Sequence, residues 1–167
     1  MKFSYVNPTQ IHFGQGQIEA LSKAIPTSSN VLVVYGGGSI KKNGVYDQVV
    51  DALKAHGWQE FSGVEPNPTK ETLDKAVEIV KQDDIEFVLG VGGGSVIDGV
   101  KYIAAAAKYD GDGWDILEGK HQVKEAVAIG AVLTLPATGS ESNPAAVITK
   151  SETQDKLSFY HPAVQRK

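Results

Sequence analysis

Apolar runs alternate with helix-like stretches along this chain, and this alternation limits the folds that it can adopt. Three runs are rich in Val, Ile, Leu and Ala: residues 31–34, 87–89 and 128–135. Continuous apolar runs of this length are typical of strands buried on both faces of a parallel sheet. Segments with apolar residues spaced for one helix face lie between or after the runs: 44–56, 69–82 and 95–109.

The predicted order of elements is that of a doubly wound α/β protein. A short strand at 59–61 extends the alternation, and helices that connect parallel strands cover both faces of a sheet. The ends of the chain differ, because paired short strands are predicted at 4–6 with 10–13, and at 146–150 with 156–160. The sequence therefore predicts an α/β fold with a Rossmann-like, doubly wound, mainly parallel sheet, helices on both faces, and N-terminal and C-terminal β-hairpins.

Local signals place the ends of the helices. Thr69 follows Pro68 and predicts a helix start, because its hydroxyl can accept a hydrogen bond from the first turn. Gly57 predicts the stop of the helix at 44–56. Ser95 and Asp98 match the S-x-x-D capping pattern, so we expect Ser95 to cap the following helix and Asp98 to bond back to it.

The sequence GGGS occurs twice between a predicted strand and a predicted helix, in "VLVVYGGGSIK" (31–41) and "FVLGVGGGSVID" (87–98). At such a junction the N–H groups of the helix start can bind a phosphate, and glycine lets the anion approach the main chain. Open α/β sheets bind ligands at this edge. The alternative is that each glycine run forms only a tight turn. The pattern G-x-G-x-x-G is not met, because Ser95 occupies its last position.

A third polar segment, "LTLPATGSESN" (133–143), follows the last apolar run. The hydroxyl groups of Thr134, Thr138 and Ser140 can donate hydrogen bonds to phosphate or ribose oxygens. The same hydroxyls can instead form a local turn with the backbone. Lys156 can pair with a phosphate or extend into solvent.

Composition excludes several classes of function. The 167 residues, 41% of them hydrophobic and 22% charged, are sufficient for one domain with its own core. The absence of cysteine excludes disulfides and thiolate metal sites. A net charge of -4 without a long basic tract argues against a nucleic-acid partner. Because no signal-like or membrane-spanning apolar stretch occurs, we expect a cytoplasmic protein without a membrane partner.

Four motifs resemble, in order, those of the iron-containing (group III) alcohol dehydrogenase family: "PTQIHFGQG" (8–16), "EPNPT" (65–69), "GVGGGSVIDGVK" (90–101) and "LPATGSES" (135–142). The likeness covers essentially the whole chain and is to the branch of NADPH-dependent aldehyde reductases and butanol dehydrogenases. Members have a dinucleotide-binding domain, followed by a helical domain that holds a divalent metal, iron or zinc, through Asp and His. The resemblance implies that residues 1–167 are the dinucleotide-binding domain, and that the metal is present only in the full-length enzyme.

The resemblance also implies which residues contact the coenzyme. Gly93, Gly94 and Ser95 would cradle the pyrophosphate, and Asp98 would orient that loop near the nicotinamide ribose. The three hydroxyl residues of segment 133–143 would contact phosphate or the nicotinamide end.

Other predicted contacts lie farther along the coenzyme. Lys156 would approach a ribose or phosphate oxygen, whereas Asn67 and Pro68 would line the adenosine end. With the first glycine loop included, the predicted cofactor-binding residues are Gly37, Gly38, Ser39, Lys42, Asn67, Pro68, Gly93, Gly94, Ser95, Asp98, Thr134, Thr138, Ser140 and Lys156.

The first glycine loop bears on the choice of coenzyme. An acid near a strand end typically bonds the ribose 2′-OH of NAD, and NAD-preferring relatives have an Asp near the position of Gly37 or Gly38. No acid occurs between residues 35 and 43 here, whereas Ser39 and two lysines, Lys42 among them, do occur. Because a carboxylate would repel a 2′-phosphate and this loop would admit one, we predict NADP(H).

The reaction implied by the resemblance is hydride transfer between NADPH and an aldehyde or primary alcohol whose oxygen is polarised by the metal. We expect this chain alone to bind coenzyme weakly and not to catalyse. No catalytic residue or metal ligand is assigned within it, because the four histidines lack the close pair spacing of metal ligands. Each histidine is expected at the surface or in a cap. A homodimer through the strands of segment 3–13 is also expected.

Two alternatives stay open at this point. One is a similar N-terminal domain of a glycerol dehydrogenase or dehydroquinate synthase, although "LPATGSES" is closer to the alcohol dehydrogenases. The other is a non-catalytic nucleotide-binding or interaction module.

Overall fold

Six strands and five α-helices make up the fold, which is seen in a computed structural model that describes residues 2–3 and 7–165. The strands are β1 (Val31–Tyr35), β2 (Trp58–Phe61), β3 (Phe87–Gly92), β4 (Ala128–Leu133), β5 (Ala145–Lys150) and β6 (Asp155–Tyr160). The α-helices are α1 (Leu21–Ala24), α2 (Val45–Ala52), α3 (Lys70–Gln82), α4 (Gly94–Ala106) and α5 (Trp114–Leu117). Short 3-10 helices occur at Gln17–Ala20, Ser39–Lys41, Ser140–Ser142 and Pro162–Val164.

The main sheet is parallel, with the strand order β2-β1-β3-β4. The chain leaves β1 on one side to form β2 and then crosses over to form β3 on the other side. The last residue of β1, Tyr35, pairs with Val91 of β3, so the carboxyl ends of these two strands lie side by side. This reversal of direction creates the crevice where open α/β sheets bind their ligands.

Both faces of the sheet are covered, as the sequence predicts. Leu32 and Val34 of β1 lie in the core that includes residues of α3 and α4. Val31 and Val33 point to the opposite face and pack in a second core with residues of α2. Because side chains alternate along a strand, a strand buried on both faces has to be apolar at every position. The predicted doubly wound α/β architecture is therefore confirmed.

The helix start at Thr69 is confirmed, but two predicted helix ends lie too far along the chain. The Thr69 hydroxyl accepts a hydrogen bond from Thr72 N at 3.4 Å. Helix α2 ends at Ala52, before the predicted stop. Residues 53–55 form a turn that leads to the buried His56, whose Nε2 lies 3.0 Å from the Ile25 carbonyl oxygen. A Cβ at Gly57 would lie 2.8 Å from Asn30 Oδ1, so this glycine allows a close approach.

Helix α4 ends at Ala106, three residues before the predicted end at 109. It is buried at all but a few positions of its length, which explains why apolar residues do not keep to one face. None of the helices in residues 2–3 and 7–165 is both long and apolar enough to span a membrane.

The C-terminal hairpin is confirmed, whereas the N-terminal one is not. Strands β5 and β6 pair antiparallel, from Ala145 opposite Tyr160 to Lys150 opposite Asp155. Residues 10–13 form no strand, and their predicted partners at 4–6 lie outside the described residues. Ile11 and Phe13 are exposed, so within the described part of the chain their side chains are not covered by a partner strand. The homodimer through this segment stays a prediction.

Packing between α3 and α4 should contribute strongly to stability. Leu73 of α3 is fully buried in the core shared with α4. We expect Leu73→Ala to lower the free energy of unfolding by about 3 kcal/mol, because it removes buried methyl groups and leaves a cavity. Urea denaturation measures this change. The control is Leu135→Ala at a residue that is 66% exposed, and an equal loss in both variants would contradict the assignment of this core.

Candidate functional site

Three loops meet at the carboxyl edge of the sheet, next to the crevice between β1 and β3. They follow β1 (residues 36–39), β3 (residue 93, which leads into α4) and β4 (residues 134–143). A Cβ built on Gly36 would lie 3.9 Å from Val96 in the first turns of α4, so the first loop lies beside the helix start. A Cβ on Gly94 would lie 2.5 Å from Thr138 Oγ1, so the third loop lies directly against the helix start. A methyl group at Gly94 would push the third loop away from the start of α4.

The first turn of α4 has no side-chain cap, and this corrects a prediction. Gly93 is the N-cap residue, and no side chain bonds to the N–H groups at the helix start. Ser95 lies inside the helix, where its Oγ accepts a long hydrogen bond of 3.4 Å from Asn67 N. The predicted capping box of Ser95 and Asp98 is therefore wrong. Since the first N–H groups of a helix have no intrahelical partner, they are left to bind a ligand or water.

Asp98 instead bonds across to the third loop and to β5. Its Oδ1 accepts a hydrogen bond of 2.5 Å from Ser140 Oγ, and its Oδ2 accepts one of 3.0 Å from Val147 N. Ser140 is only 4% exposed, and its hydroxyl donates to Asp98, so this donor is used within the protein. Thr138, by contrast, is exposed and accepts a hydrogen bond of 3.3 Å from Ser140 N.

The sequence reasoning missed Lys101, although "GVGGGSVIDGVK" ends on it. Lys101 is 1% exposed. Its Nζ donates to Ser140 Oγ at 2.8 Å, to Asn143 Oδ1 at 3.3 Å and to the Ala145 carbonyl oxygen at 2.6 Å. Burial lowers the pKa of Lys101 to about 8, although the charges of Asp98 and Glu141 oppose this shift. Besides the end of that motif, the signal in the sequence was a lysine within the otherwise apolar part of a predicted helix.

Two further predicted residues, Asn67 and Lys156, are brought together. Lys156 Nζ donates to Asn67 Oδ1 at 2.7 Å, although the residues are 89 positions apart. Asn67 has a φ of 59°, in the left-handed region that asparagine tolerates better than most residues. Its neighbour Pro68 is buried, and its carbonyl oxygen accepts a hydrogen bond of 2.9 Å from Thr149 N. Asn67 and Lys156 thus form an exposed pair beside Ser95, and Pro68 anchors the C-terminal hairpin.

The first loop is open on its outer side. A Cβ on Gly37 would meet no atom within 4 Å, and Gly38 has a φ of 87°, which favours glycine. Ser39 and Lys42 are exposed beside them, and no ion pair of Lys42 occurs among the described residues. Lys41 is different, because its Nζ lies 3.2 Å from Glu60 Oε1. Thr134 of the third loop is also exposed, while its N–H bonds to the Gly92 carbonyl oxygen at 3.0 Å.

The described residues do not fit the divalent metal that the family resemblance implies. Within residues 2–3 and 7–165, no three His, Asp or Glu side chains are grouped so that they could hold a metal ion. The histidines have other surroundings. His161 Nδ1 accepts a hydrogen bond from Ala163 N at 3.2 Å as a cap, and His121 stacks on Tyr109. The buried His56 differs from the predicted surface or capping position.

The family model for iron-containing alcohol dehydrogenases matches residues 8–165. The chain belongs to the iron-containing alcohol dehydrogenase family. The family resemblance of the motifs is therefore confirmed, and with it membership of a family of oxidoreductases.

The names of relatives within this family state different coenzymes. The chain is 54% identical to the probable NADH-dependent butanol dehydrogenase 1 of Bacillus subtilis, over 97% of this chain and 43% of the relative. It is 53% identical to the NADPH-dependent aldehyde reductase YqhD of Escherichia coli, over 98% of this chain and 43% of the relative. A crystal structure of the NADH-dependent butanol dehydrogenase A of Thermotoga maritima superposes with a TM-score of 0.95 at 50% identity, over 99% of this chain and 43% of that structure. The chain thus spans less than half of the length of these relatives, whose names favour the alcohol dehydrogenase branch.

The buried Lys101 should give stability a specific pH dependence. Its pKa is about 8 in the folded chain, against an ordinary value of 10.5. Between these two values the unfolded chain binds the additional proton, so stability rises with pH. We expect the free energy of unfolding to rise by about 2 kcal/mol more in the wild type than in Lys101→Met, from about pH 7.5 to about pH 9.5.

The measurement is urea denaturation of both proteins at the two pH values. Lys108→Met is the control, because Lys108 lies just after the end of α4 but is exposed. This control should keep the pH dependence of the wild type. A wild-type slope equal to that of Lys101→Met would show that Lys101 is not titrating in this range.

Proposed function

We propose that residues 1–167 are the dinucleotide-binding domain of a metal-dependent alcohol dehydrogenase or aldehyde reductase, and that this domain binds NADP(H). The observation that carries the proposal is the meeting of three loops at the crevice between β1 and β3, with the uncapped start of α4 among them. Open α/β sheets bind nucleotides at this position, with the phosphates at a helix N-terminus.

The pyrophosphate is proposed to bind at the start of α4. The N–H groups of Gly94 and Ser95 lie in the uncapped first turn, and Gly93 precedes them without a side chain. Thr138 lies against Gly94, so its exposed hydroxyl is placed beside the same backbone groups. Together these groups offer hydrogen-bond donors to an anion at the positive end of the helix.

The nicotinamide end is proposed to lie along the third loop. Thr134 and Thr138 are the exposed hydroxyl residues there. Asp98 and Ser140 hold this loop to α4 through their hydrogen bond, and in this proposal they orient the loop without touching the ligand. Lys156, already bonded to Asn67, can donate a further hydrogen bond to a ribose or phosphate oxygen, because an ammonium has three donors.

The adenosine end is proposed to lie over the first loop, where Gly37 and Gly38 leave room for a 2′-phosphate. Glu60 of the neighbouring strand β2 accepts hydrogen bonds from Lys41 and from Tyr46 OH at 2.9 Å. Its negative charge is therefore compensated within the protein. Lys42 is exposed and has no ion pair among the described residues, so its ammonium is available to a phosphate.

When bound, the reduced nicotinamide coenzyme would donate a hydride to an aldehyde, and the oxidised coenzyme would accept one from a primary alcohol. The residues of this chain contribute binding and orientation, because glycine loops fix the phosphates and the third loop fixes the nicotinamide end. No step is assigned to a metal, since the described residues provide no cluster of ligands for one.

Coenzyme preference tests the proposal directly. We expect the chain to bind NADPH more tightly than NADH, and Lys42→Ala to weaken NADPH binding about tenfold while changing NADH binding little, because one charge-assisted hydrogen bond to the 2′-phosphate is lost. Fluorescence titration with both coenzymes measures this. Lys54→Ala, at an exposed lysine paired with Asp51, is the control and should behave like the wild type. Tighter binding of NADH by the wild type would contradict the proposal.

A second variant tests whether the first loop lies against the ligand. An added Cβ at Gly37 would meet no protein atom within 4 Å. We therefore expect Gly37→Ala to keep the wild-type free energy of unfolding but to bind NADPH about tenfold more weakly, since the methyl group occupies space that the coenzyme needs. Urea denaturation and NADPH titration give the two values. Unchanged NADPH affinity in a stable Gly37→Ala protein would place the adenosine end elsewhere.

A further inference from the structure

We propose that Lys101 is a positioning residue for coenzyme binding, because its buried ammonium holds the third loop, residues 134–143, against α4 in the conformation that binds the ligand. This inference rests on the proposed function, since the third loop is where the nicotinamide end is placed. It gives a role to Lys101, which ends the motif "GVGGGSVIDGVK" but is not among the predicted cofactor-binding residues.

The contacts of Lys101 all run from α4 to the segment after β4. Its three donors match three acceptors, which are Ser140 Oγ, Asn143 Oδ1 and the Ala145 carbonyl oxygen. Lys101 is 1% exposed, so none of these bonds competes with bulk water. A buried ammonium with one donor for each acceptor specifies a single arrangement of the loop.

Hydrogen bonds to the Gly139 carbonyl oxygen, from Asn143 Nδ2 at 2.8 Å and from Ser142 N at 3.0 Å, shape the second half of the third loop, and the bond from Lys101 ties that half to α4. Residues 134–139 are all exposed, and Gly139 has a φ of 70°. Thr138, which lies against the start of α4, is held by a hydrogen bond from Ser140 N. Ser140 is in turn fixed by Lys101 on one side and Asp98 on the other. The position of the exposed Thr138 hydroxyl therefore depends on Lys101 through one intervening residue.

Protonation of Lys101 completes this network. A neutral amine has one N–H fewer than an ammonium, so one of the three acceptors would lose its donor. The charged groups that act on Lys101 are Asp98 on α4 and Glu141 on the 3-10 helix of the loop, and both favour the protonated form. Because burial lowers the pKa of Lys101 to about 8, the network loses this proton in mildly alkaline solution.

The sign of the resulting pH dependence follows from linkage. The phosphates of the coenzyme and the ordered loop both favour the protonated Lys101, so binding raises its pKa. Affinity for NADPH is therefore highest below the pKa of the free protein and falls as the pH rises through it. This dependence is opposite in sign to that of the stability, which rises over the same range.

The experiment measures NADPH affinity by fluorescence titration of the 167-residue chain across this pH range. In the wild type we expect affinity to fall as the pH rises. In Lys101→Met we expect binding about tenfold weaker at neutral pH and little further change with pH. Lys108→Met, the exposed control, should follow the wild type. A wild-type affinity that is independent of pH, or wild-type binding by Lys101→Met, would overturn the proposal.

A second variant keeps Lys101 in place and changes one of its acceptors. Asn143→Asp places a carboxylate where an amide oxygen lies 3.3 Å from Lys101 Nζ. The additional negative charge should raise the pKa of Lys101 and move the loss of NADPH affinity to higher pH. A role of Lys101 in packing alone predicts no such movement, so an unchanged midpoint in Asn143→Asp would also overturn the proposal.

Hydrogen exchange separates this proposal from the proposed function. Without coenzyme, amides of residues 134–143 should exchange faster in Lys101→Met than in Lys108→Met, because the loop is released from α4. If the wild type binds no NADPH, the proposed function fails, and faster exchange still supports the positioning of the loop by Lys101. Equal exchange rates in the two variants would exclude that positioning role.

Discussion

The side-by-side burial of β1 and β3 is the constraint on which the rest of this structure depends. Both strands are apolar along their length because layers of helices pack against both faces of the sheet. Their parallel register aligns Tyr35 with Val91, so the loops that follow them start at the same edge. The reversal of strand order at this point leaves a crevice between those loops. The position of the candidate site is thus a consequence of how the core is built.

Glycine in these loops serves different physical purposes. At Gly94 a side chain would collide with Thr138, so glycine allows the third loop to lie against the helix start. At Gly37 no protein atom would be met, so the protein interior gives no reason for the missing side chain. The proposed binding of the coenzyme at this edge would give that reason, because a ligand that approaches the backbone needs the space of a side chain.

The C-terminal part of the chain is attached to α4 by hydrogen bonds as well as by apolar packing. Lys101, Ser140 and Asp98 form a continuous set of hydrogen bonds from α4 to the third loop and to β5. Burying an ammonium is unfavourable unless each of its N–H groups has an acceptor. Few arrangements of the surrounding chain place all the acceptors correctly. Apolar packing of the hairpin would fix its depth against α4 but not the position of each loop atom. In the role proposed for Lys101, this network holds the largely exposed loop against α4.

The sequence by itself determined the sheet, the helices at its two faces, the C-terminal hairpin and the loops that contain glycine, because periodicity and strand-end glycines are local properties of a chain. The tertiary structure alone decided that Lys101 and His56 are buried, that Asp98 bonds to Ser140 instead of capping α4, and that residues 10–13 form no strand. The burial of a polar side chain depends on partners that are distant in sequence, as with Lys101 and Ser140, which are 39 residues apart. A local sequence pattern does not identify such distant partners. Only the packing of α4 against the third loop brings these side chains together.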